Sequence, residues 1–170
     1  MRKAGLILAE PESIQAARAR IREKGARLAF TNGVFDLLHV GHLRYLQAAA
    51  ALADVLWVGL NSDESVRHLK GEQRPLVPWA ERAELLAALQ PVEAVLFFNE
   101  WTADDIIRLV QPDLYVKGGD YTVETLPEAP TAHSIGAEVK ILPFVEGHAT
   151  TQLIELILNR YSSHEQRPRR

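Results

Sequence analysis

The sequence predicts an α/β fold: a single domain built on a parallel five-stranded sheet with helices on both faces. The first sign is alternation, because β-type apolar runs and helical segments take turns along most of the chain. The second is the character of the runs. Val55-Leu56-Trp57-Val58-Gly59-Leu60 is apolar throughout, the pattern of a strand buried on both faces rather than one. The third is size, since 170 residues at 47% hydrophobic content suit one domain with a sizeable core.

The elements follow in order. Met1-Arg2-Lys3 opens a short leader whose apolar stretch, Ala4 to Ala9, is cut off at Glu10-Pro11-Glu12 before it reaches the length of a signal peptide. Pro11 to Lys24 has helical spacing at Ile14, Ala17 and Ile21 and stops at Gly25, so residues 1–25 read as a helical extension packed on the domain. Residues 26–161 form the domain proper. Arg27 to Phe35 is a buried strand, with Leu28–Phe30 at its centre, and its exit turn; His39–Ala53 is a proline-free helix rich in Leu and Ala. Val55–Asn61 is the second strand. Pro78–Leu89 is a helix, Val92–Phe98 a strand, Thr102–Val110 a helix, Leu114–Lys117 and Ala137–Leu142 strands, and Thr150–Tyr161 the last helix. Leu69–Val77 and Gly118–Ala132 are the long connections, where function concentrates in such domains. The tail, residues 162–170, has no apolar pattern and reads as disordered, with solvated arginines.

Composition narrows the partners. A net charge of −3 argues against a protein that coats nucleic acid, and a nucleotide is the better match. The chain has no cysteine, which excludes disulfides, thiolate metal sites and cysteine nucleophiles and suits a reducing cytosol. No apolar run is long enough to span a bilayer. Neither a G-x-x-x-x-G-K-[ST] loop nor a G-x-G-x-x-G fingerprint is present, so a nucleoside triphosphate site here is of another kind.

Thr31-Asn32-Gly33-Val34-Phe35-Asp36-Leu37-Leu38-His39-Val40-Gly41-His42 is the most informative stretch. It places two histidines around a glycine where a strand hands over to a helix. Three apart in the first turn, His39 and His42 share a face beside free backbone N–H groups and the positive end of the helix dipole, which attracts an anion. Gly41 lets a ligand approach the backbone. The other candidate motifs also fall beyond strand ends, where open α/β sheets bind ligands: Asn61-Ser62-Asp63, Lys117-Gly118-Gly119-Asp120 and Gly147-His148-Ala149-Thr150-Thr151.

The string N-G-x-F-D-x-x-H-x-G-H resembles the signature of the cytidylyltransferase-like nucleotidyltransferases. V-G-L-N-S-D-E-S-V-R-H-L-K-G, the helix bearing Arg82, V-K-G-G-D-Y and P-F-V-E-G-H-A-T-T sharpen the resemblance to the branch of bacterial sugar nucleotidyltransferases that makes ADP-heptose, over about Leu28 to Ile157. That resemblance implies a Rossmann-like nucleotidyltransferase fold and an adenylyltransferase in which an oxygen of a sugar 1-phosphate attacks the α-phosphorus of ATP and pyrophosphate leaves. It implies Mg²⁺ accompanying ATP without a dedicated protein metal site, a homodimer, a separate heptose kinase upstream and a cytoplasmic location. His39, His42, Lys70 and Lys117 are the expected catalytic residues. Thr31, Asn32, Gly33, Phe35, Gly41, Arg82, Gly118, Asp120, Thr150 and Thr151 are expected at the nucleotide, and Asn61, Asp63 and Arg74 at the sugar substrate.

Bland alternatives stand beside several of these. Lys70 and Arg74 fit a solvated basic loop, Arg82 an ion pair with Glu84 or another acid at the surface, Asp120 a turn cap, and Thr150 or Thr151 a helix cap. Trp57, Trp79 and Trp101 are too dispersed for a base-stacking platform and read as packing residues. Two neighbouring functions also remain: a cytidylyltransferase acting on glycerol 3-phosphate or another phospho-alcohol, and a nucleotide-binding regulator without catalysis. The former has an arginine in its last motif, R-T-E-G, where this chain has Phe144-Val145-Glu146-Gly147, and the heptose branch often has serine at the position of Ala149.

Overall fold

A computed structural model describes residues 4–143 and 149–161. Its elements are β1 (Leu6–Leu8), α1 (Pro11–Glu23), β2 (Leu28–Gly33), α2 (Val40–Ala50), β3 (Val55–Asn61), α3 (Asp63–Lys70) and α4 (Trp79–Ala88), followed by β4 (Ala94–Phe98), α5 (Asp104–Val110), β5 (Leu114–Gly118), α6 (Ala129–Ser134), β6 (Glu138–Leu142) and α7 (Thr150–Tyr161). The strands form one sheet in the order β1-β4-β3-β2-β5-β6, parallel at every pairing.

Side-chain alternation along the strands divides the core into two layers. Leu28, Phe30 and Trp57 point to the face covered by α1, α5 and α6, where they meet Ile14, Ile107 and Ala132. Ala29, Leu56, Val58 and Leu60 point to the other face, under Leu46 and Ala49 of α2 and Leu86 of α4. Both sides of β2 and β3 are therefore sealed, which is why their sequences carry almost no polar residue before the last turn.

The sheet has six strands rather than five. Leu6–Leu8, expected within the leader, pairs in parallel with Ala94–Leu96 at the sheet edge, so the first 25 residues supply a strand as well as a helix. Three residues are too few to show a period, and the strand exists because β4 offers it an edge. Helix α1 is tied down by Arg18, whose guanidinium donates to the carbonyl of Gln111 and to Asp113 at 3.0 Å. Two further helices were not anticipated. Ser62 caps α3 by accepting the N–H of Ser65, which places Lys70 at the end of a helix rather than in a loop. Helix α6 occupies the end of the long connection after β5. The expected disordered tail, residues 162–170, lies outside the described residues.

From β2 the chain steps outward to β3 and β4, then returns to place β5 on the other side of β2. Connections leave β2 and β5 in opposite directions and open a crevice beyond their carboxyl ends. Arg82 holds the adjoining strand end in place. This side chain is fully buried and its guanidinium donates to the carbonyls of Val77 (2.9 Å), Val34 (2.6 Å) and Asn61 (3.0 Å) and to the carboxylate of Asp63. It thus joins the exit of β2, the end of β3, the start of α3 and the turn into α4.

Removing that clasp leaves three carbonyls without the guanidinium donor and Asp63 with the N–H of Trp79 in place of its ion pair. Arg82→Leu is expected to lower the free energy of unfolding by about 2–4 kcal/mol, measured by urea denaturation, because buried acceptors left without donors carry their full desolvation cost. Arg82→Lys, lacking the planar fork, is expected to restore only part of the loss.

Candidate active site

At the carboxyl ends of β2 and β5 lies a cleft of about 570 Å³, within the size range of small-ligand sites. Its floor is the turn after β2. Gly33 is required there, because a Cβ would lie 2.9 Å from the ring of Phe35. Phe35 adopts a left-handed backbone conformation (φ 44°), rare for a bulky residue, and is held in it by burial of its ring, 5.2 Å from that of His42.

Asp36 comes next, with its carboxylate sealed from solvent. It accepts the backbone N–H groups of Leu76 (2.8 Å) and Val77 (2.9 Å) and pairs with Arg74 Nε. Burial opposes ionisation, but those N–H groups and the guanidinium outweigh it and hold the carboxyl below the usual carboxylate range. The aspartate of the motif therefore pins the connection between α3 and α4 against the cleft. Nothing in the motif itself marks this role for Asp36, since its partners lie some forty residues on.

His39 is the residue before α2 and does not cap it. Its ring stacks on that of His42 with centroids 3.8 Å apart and planes 21° from parallel. Burial, and then the neighbouring His39, push His42 down to about 4. Near neutral pH it is an uncharged imidazole, able to donate through its protonated nitrogen, and its Nδ1 has no hydrogen-bond partner among the described residues. The first turn of α2 supplies backbone N–H groups beside it, and Thr150, Thr151 and Gln152 bring the start of α7 to the same cleft. Two positive helix ends thus meet one space.

The opposite wall is the end of β5. Lys117 Nζ lies 3.1 Å from Asn32 Oδ1, 3.1 Å from Glu128 Oε1 and 3.4 Å from the hydroxyl of Tyr115. Gly118 allows this strand end to sit close to α2, since a Cβ would meet the Tyr45 ring at 3.0 Å. Lys70 and Arg74 add two further cations to the lining. A wall of N–H donors, the uncharged His42 imidazole and lysines suits a polyphosphate, whose oxygens accept the hydrogens these groups offer.

Of the residues expected at the site, Asn32, Gly33, Phe35, His39, Gly41, His42, Lys70, Arg74, Lys117, Gly118, Thr150 and Thr151 line the cleft. Five others stand outside its lining. Thr31 is buried, its hydroxyl 2.7 Å from that of Tyr45, which donates to the carbonyl of Val116. Arg82 is the clasp described above; it pairs with another acid, Asp63, and does so fully buried rather than at the surface. Asn61 donates to Ser65 Oγ, and Asp63 also accepts the N–H of Trp79, so both serve the framework. Asp120 is exposed. Trp101, expected as a packing residue, is instead 62% exposed and stacks on His68. Glu146, Gly147 and His148 of the last motif lie outside the described residues.

The chain is similar to known proteins in sequence and in fold. A family model described as Cytidylyltransferase-like matches residues 30–169. The protein named bifunctional protein HldE of Citrifermentans bemidjiense is 48% identical over 145 residues, covering 85% of this chain and 30% of that protein. Its counterpart of the same name in Geotalea uraniireducens is 52% identical over 136 residues, covering 80% of this chain and 28% of that protein. The chain therefore spans about 30% of the length of the curated relatives it matches. Among solved structures, the lipopolysaccharide core biosynthesis protein from Thermoplasma volcanium superposes with a TM-score of 0.59 at 28% identity, covering 73% of this chain and 100% of that one. A pantoate-beta-alanine ligase from Francisella tularensis, at 14% identity and a TM-score of 0.61, shares the fold, over 82% of this chain and 67% of that one.

The lowered His42 couples the fold to pH. The unfolded chain takes up a proton near 6.5 that the folded imidazole refuses until about 4. Stability from this group is complete above about pH 6.5 and is lost as pH falls towards 4, by at most about 3 kcal/mol given its partial exposure. His42→Gln is expected to flatten that segment of a melting-temperature profile taken between pH 4 and 7.

Proposed function

The chain belongs to the cytidylyltransferase-like family and is a nucleotidyltransferase, and we propose that it joins ATP to D-glycero-β-D-manno-heptose 1-phosphate to give ADP-heptose and pyrophosphate. The observation that carries this reading is the stacked His39–His42 pair at the start of α2, facing the Lys117 wall across a cleft of nucleotide size. The heptose assignment is supported by the strings N-S-D-E-S-V-R-H-L-K-G and V-K-G-G-D-Y and by the lipopolysaccharide core biosynthesis protein among the structural neighbours.

In this reading an ionised oxygen of the sugar phosphate attacks the α-phosphorus in line, and the bond from that phosphorus to the pyrophosphate oxygen breaks. The nucleophile is already ionised near neutral pH, so the protein supplies alignment and donors rather than a base. His39 and His42 donate to oxygens around the transferred phosphorus as charge builds there. Lys117, Lys70 and Arg74 attract the triphosphate, and the first turns of α2 and α7 add backbone donors. Gly33, Gly41 and Gly118 keep the walls close to the ligand.

Mg²⁺ belongs to the same proposal and supplies charge neutralisation on the leaving phosphates. Asp36, the carboxylate in the cleft lining, is taken up by Arg74, Leu76 and Val77, and the described residues hold no group of three or more candidate metal ligands. The residues present thus do not make a cage, and the ion is read as travelling with the nucleotide. A homodimer, an upstream heptose kinase and a cytoplasmic site of action complete the proposal. Exposed Leu156, Ile157 and Leu158 on α7 support self-association, and no helix among the described residues is long and apolar enough to cross a membrane.

Pyrophosphate release with Mg²⁺, crossing ATP and CTP against heptose 1-phosphate and glycerol 3-phosphate, tests the substrates. Signal with ATP and the heptose alone is expected. Preference for CTP and glycerol 3-phosphate would transfer the chain to the phospho-alcohol branch, and ATP binding without turnover on any acceptor would make it a regulator. His42→Ala is expected to lower kcat about 10²–10³-fold while ATP binding by calorimetry changes only a few-fold. Equal losses in both would remove the transition-state role.

A further inference from the structure

Lys117 is held by an unusual set of partners. Its side chain is 18% exposed at the cleft wall, while Glu128, its anionic partner, is 11% exposed and lies outside the cleft lining. Glu128 precedes α6, where a side chain would ordinarily cap the helix, yet it makes no cap bond. Its Oε1 is directed instead at Lys117 Nζ, 3.1 Å away. A carboxylate set behind a phosphate-facing lysine works against nucleotide affinity, because it cancels part of the charge that attracts the triphosphate.

What this arrangement contributes is position. A lysine ends in a point charge on a flexible stem. Glu128 and Asn32 fix that stem from two sides. The fixing extends to Asn32, whose Oδ1 accepts both Lys117 Nζ and the Tyr115 hydroxyl at 2.6 Å. With its oxygen engaged twice, the Asn32 amide has one orientation, and its NH₂ group is left as the donor for a ligand. Tyr115 is locked as a donor, since burial and then the charge of Glu128 raise its phenol far above the usual range.

We propose that Glu128 is a positioning residue for nucleotidyl transfer, acting through Lys117 to aim the donors of the β5 wall. It touches neither nucleotide nor sugar. The substrates of this inference are those of the adenylyltransferase reading, on which it rests; its binding test is not tied to the acceptor.

The test separates reach from charge. Glu128→Gln keeps the reach of the acceptor oxygen and removes the charge, whereas Glu128→Asp keeps the charge and withdraws it by one methylene. If Glu128 positions, the Gln variant retains kcat within about threefold and the Asp and Ala variants lose tenfold or more. The reverse ranking would show charge neutralisation and overturn the proposal. The Glu128→Ala/Lys117→Ala double variant is expected to turn over no more slowly than Lys117→Ala alone; multiplied losses would mean that Glu128 acts elsewhere. MgATP titrations supply the arm that needs no acceptor. Glu128→Ala is expected to bind MgATP as tightly as wild type or up to fivefold more tightly, while Lys117→Ala binds it more weakly. Weakened binding in both would overturn the inference even if wild type proved silent with heptose 1-phosphate, a silence that would count against the substrate reading alone. Melting temperatures of each variant confirm that comparisons are made between folded proteins.

Discussion

The buried guanidinium of Arg82 is the interaction on which the cleft depends. Parallel strands end in carbonyls with no neighbour beyond them, and here three elements change direction within a few residues of one another. A single planar cation satisfies the carbonyls of Val34, Asn61 and Val77 and neutralises Asp63. Burying such a charge is favourable only because nearly every N–H it carries meets an oxygen. Asp36 performs the converse task with a buried anion, gathering the N–H groups of Leu76 and Val77 and the side chain of Arg74. A buried cation and a buried anion thus each organise part of the framework around the cleft.

The groups of the cleft wall share a polarity. The two helix starts, the His39–His42 stack, Asn32, Lys117, Lys70 and Arg74 all offer hydrogens or positive charge, and the carboxylate in the lining is already engaged. A cleft made of full cations would repel itself when empty. Keeping His42 uncharged avoids that cost while retaining a donor, and partial charges at helix ends attract anions without a mobile counter-ion. Nucleotidyl transfer needs little covalent chemistry from the protein, and a rigid wall of donors is the sort of site that such a reaction demands.

How much of this could be read from the residues depended on distance along the chain. The run Val55–Asn61 announced a doubly covered strand by composition alone, and the H-x-G-H element marked the cleft wall at the start of α2 because strand end, turn and helix start are contiguous. Leu6–Leu8 was illegible because three residues have no period. Asp63–Lys70 was missed because its polar surface shows only Val66 and Leu69 as apolar markers, although Ser62 was a readable cap. At the site, Lys117 was legible from an ammonium ending an apolar strand. Arg82, Asn61 and Asp63 were not legible as framework, because what distinguishes a clasp from a ligand contact is a set of tertiary partners. Glu128 carried no local signal at all, being one acid among several in a loop-like stretch.

The strand order also has a temporal side. Residues 28–33 pair with residues 55–60 across a single helix, a short closure available early as the chain emerges. The other partner of β2 is β5, where Ala29 meets Leu114 only after two more strands have been made. The two walls of the cleft therefore belong to the most sequence-distant pairing of the central strand, and loop-closure entropy delays contacts of that kind. A half-made chain would display the histidine motif on an incomplete sheet, with the neighbour of β2 missing and Phe30 lacking Tyr115 beside it. A ligand that bridges β2 and β5 would therefore act as a latch on the seam of the central strand that closes the longer loop.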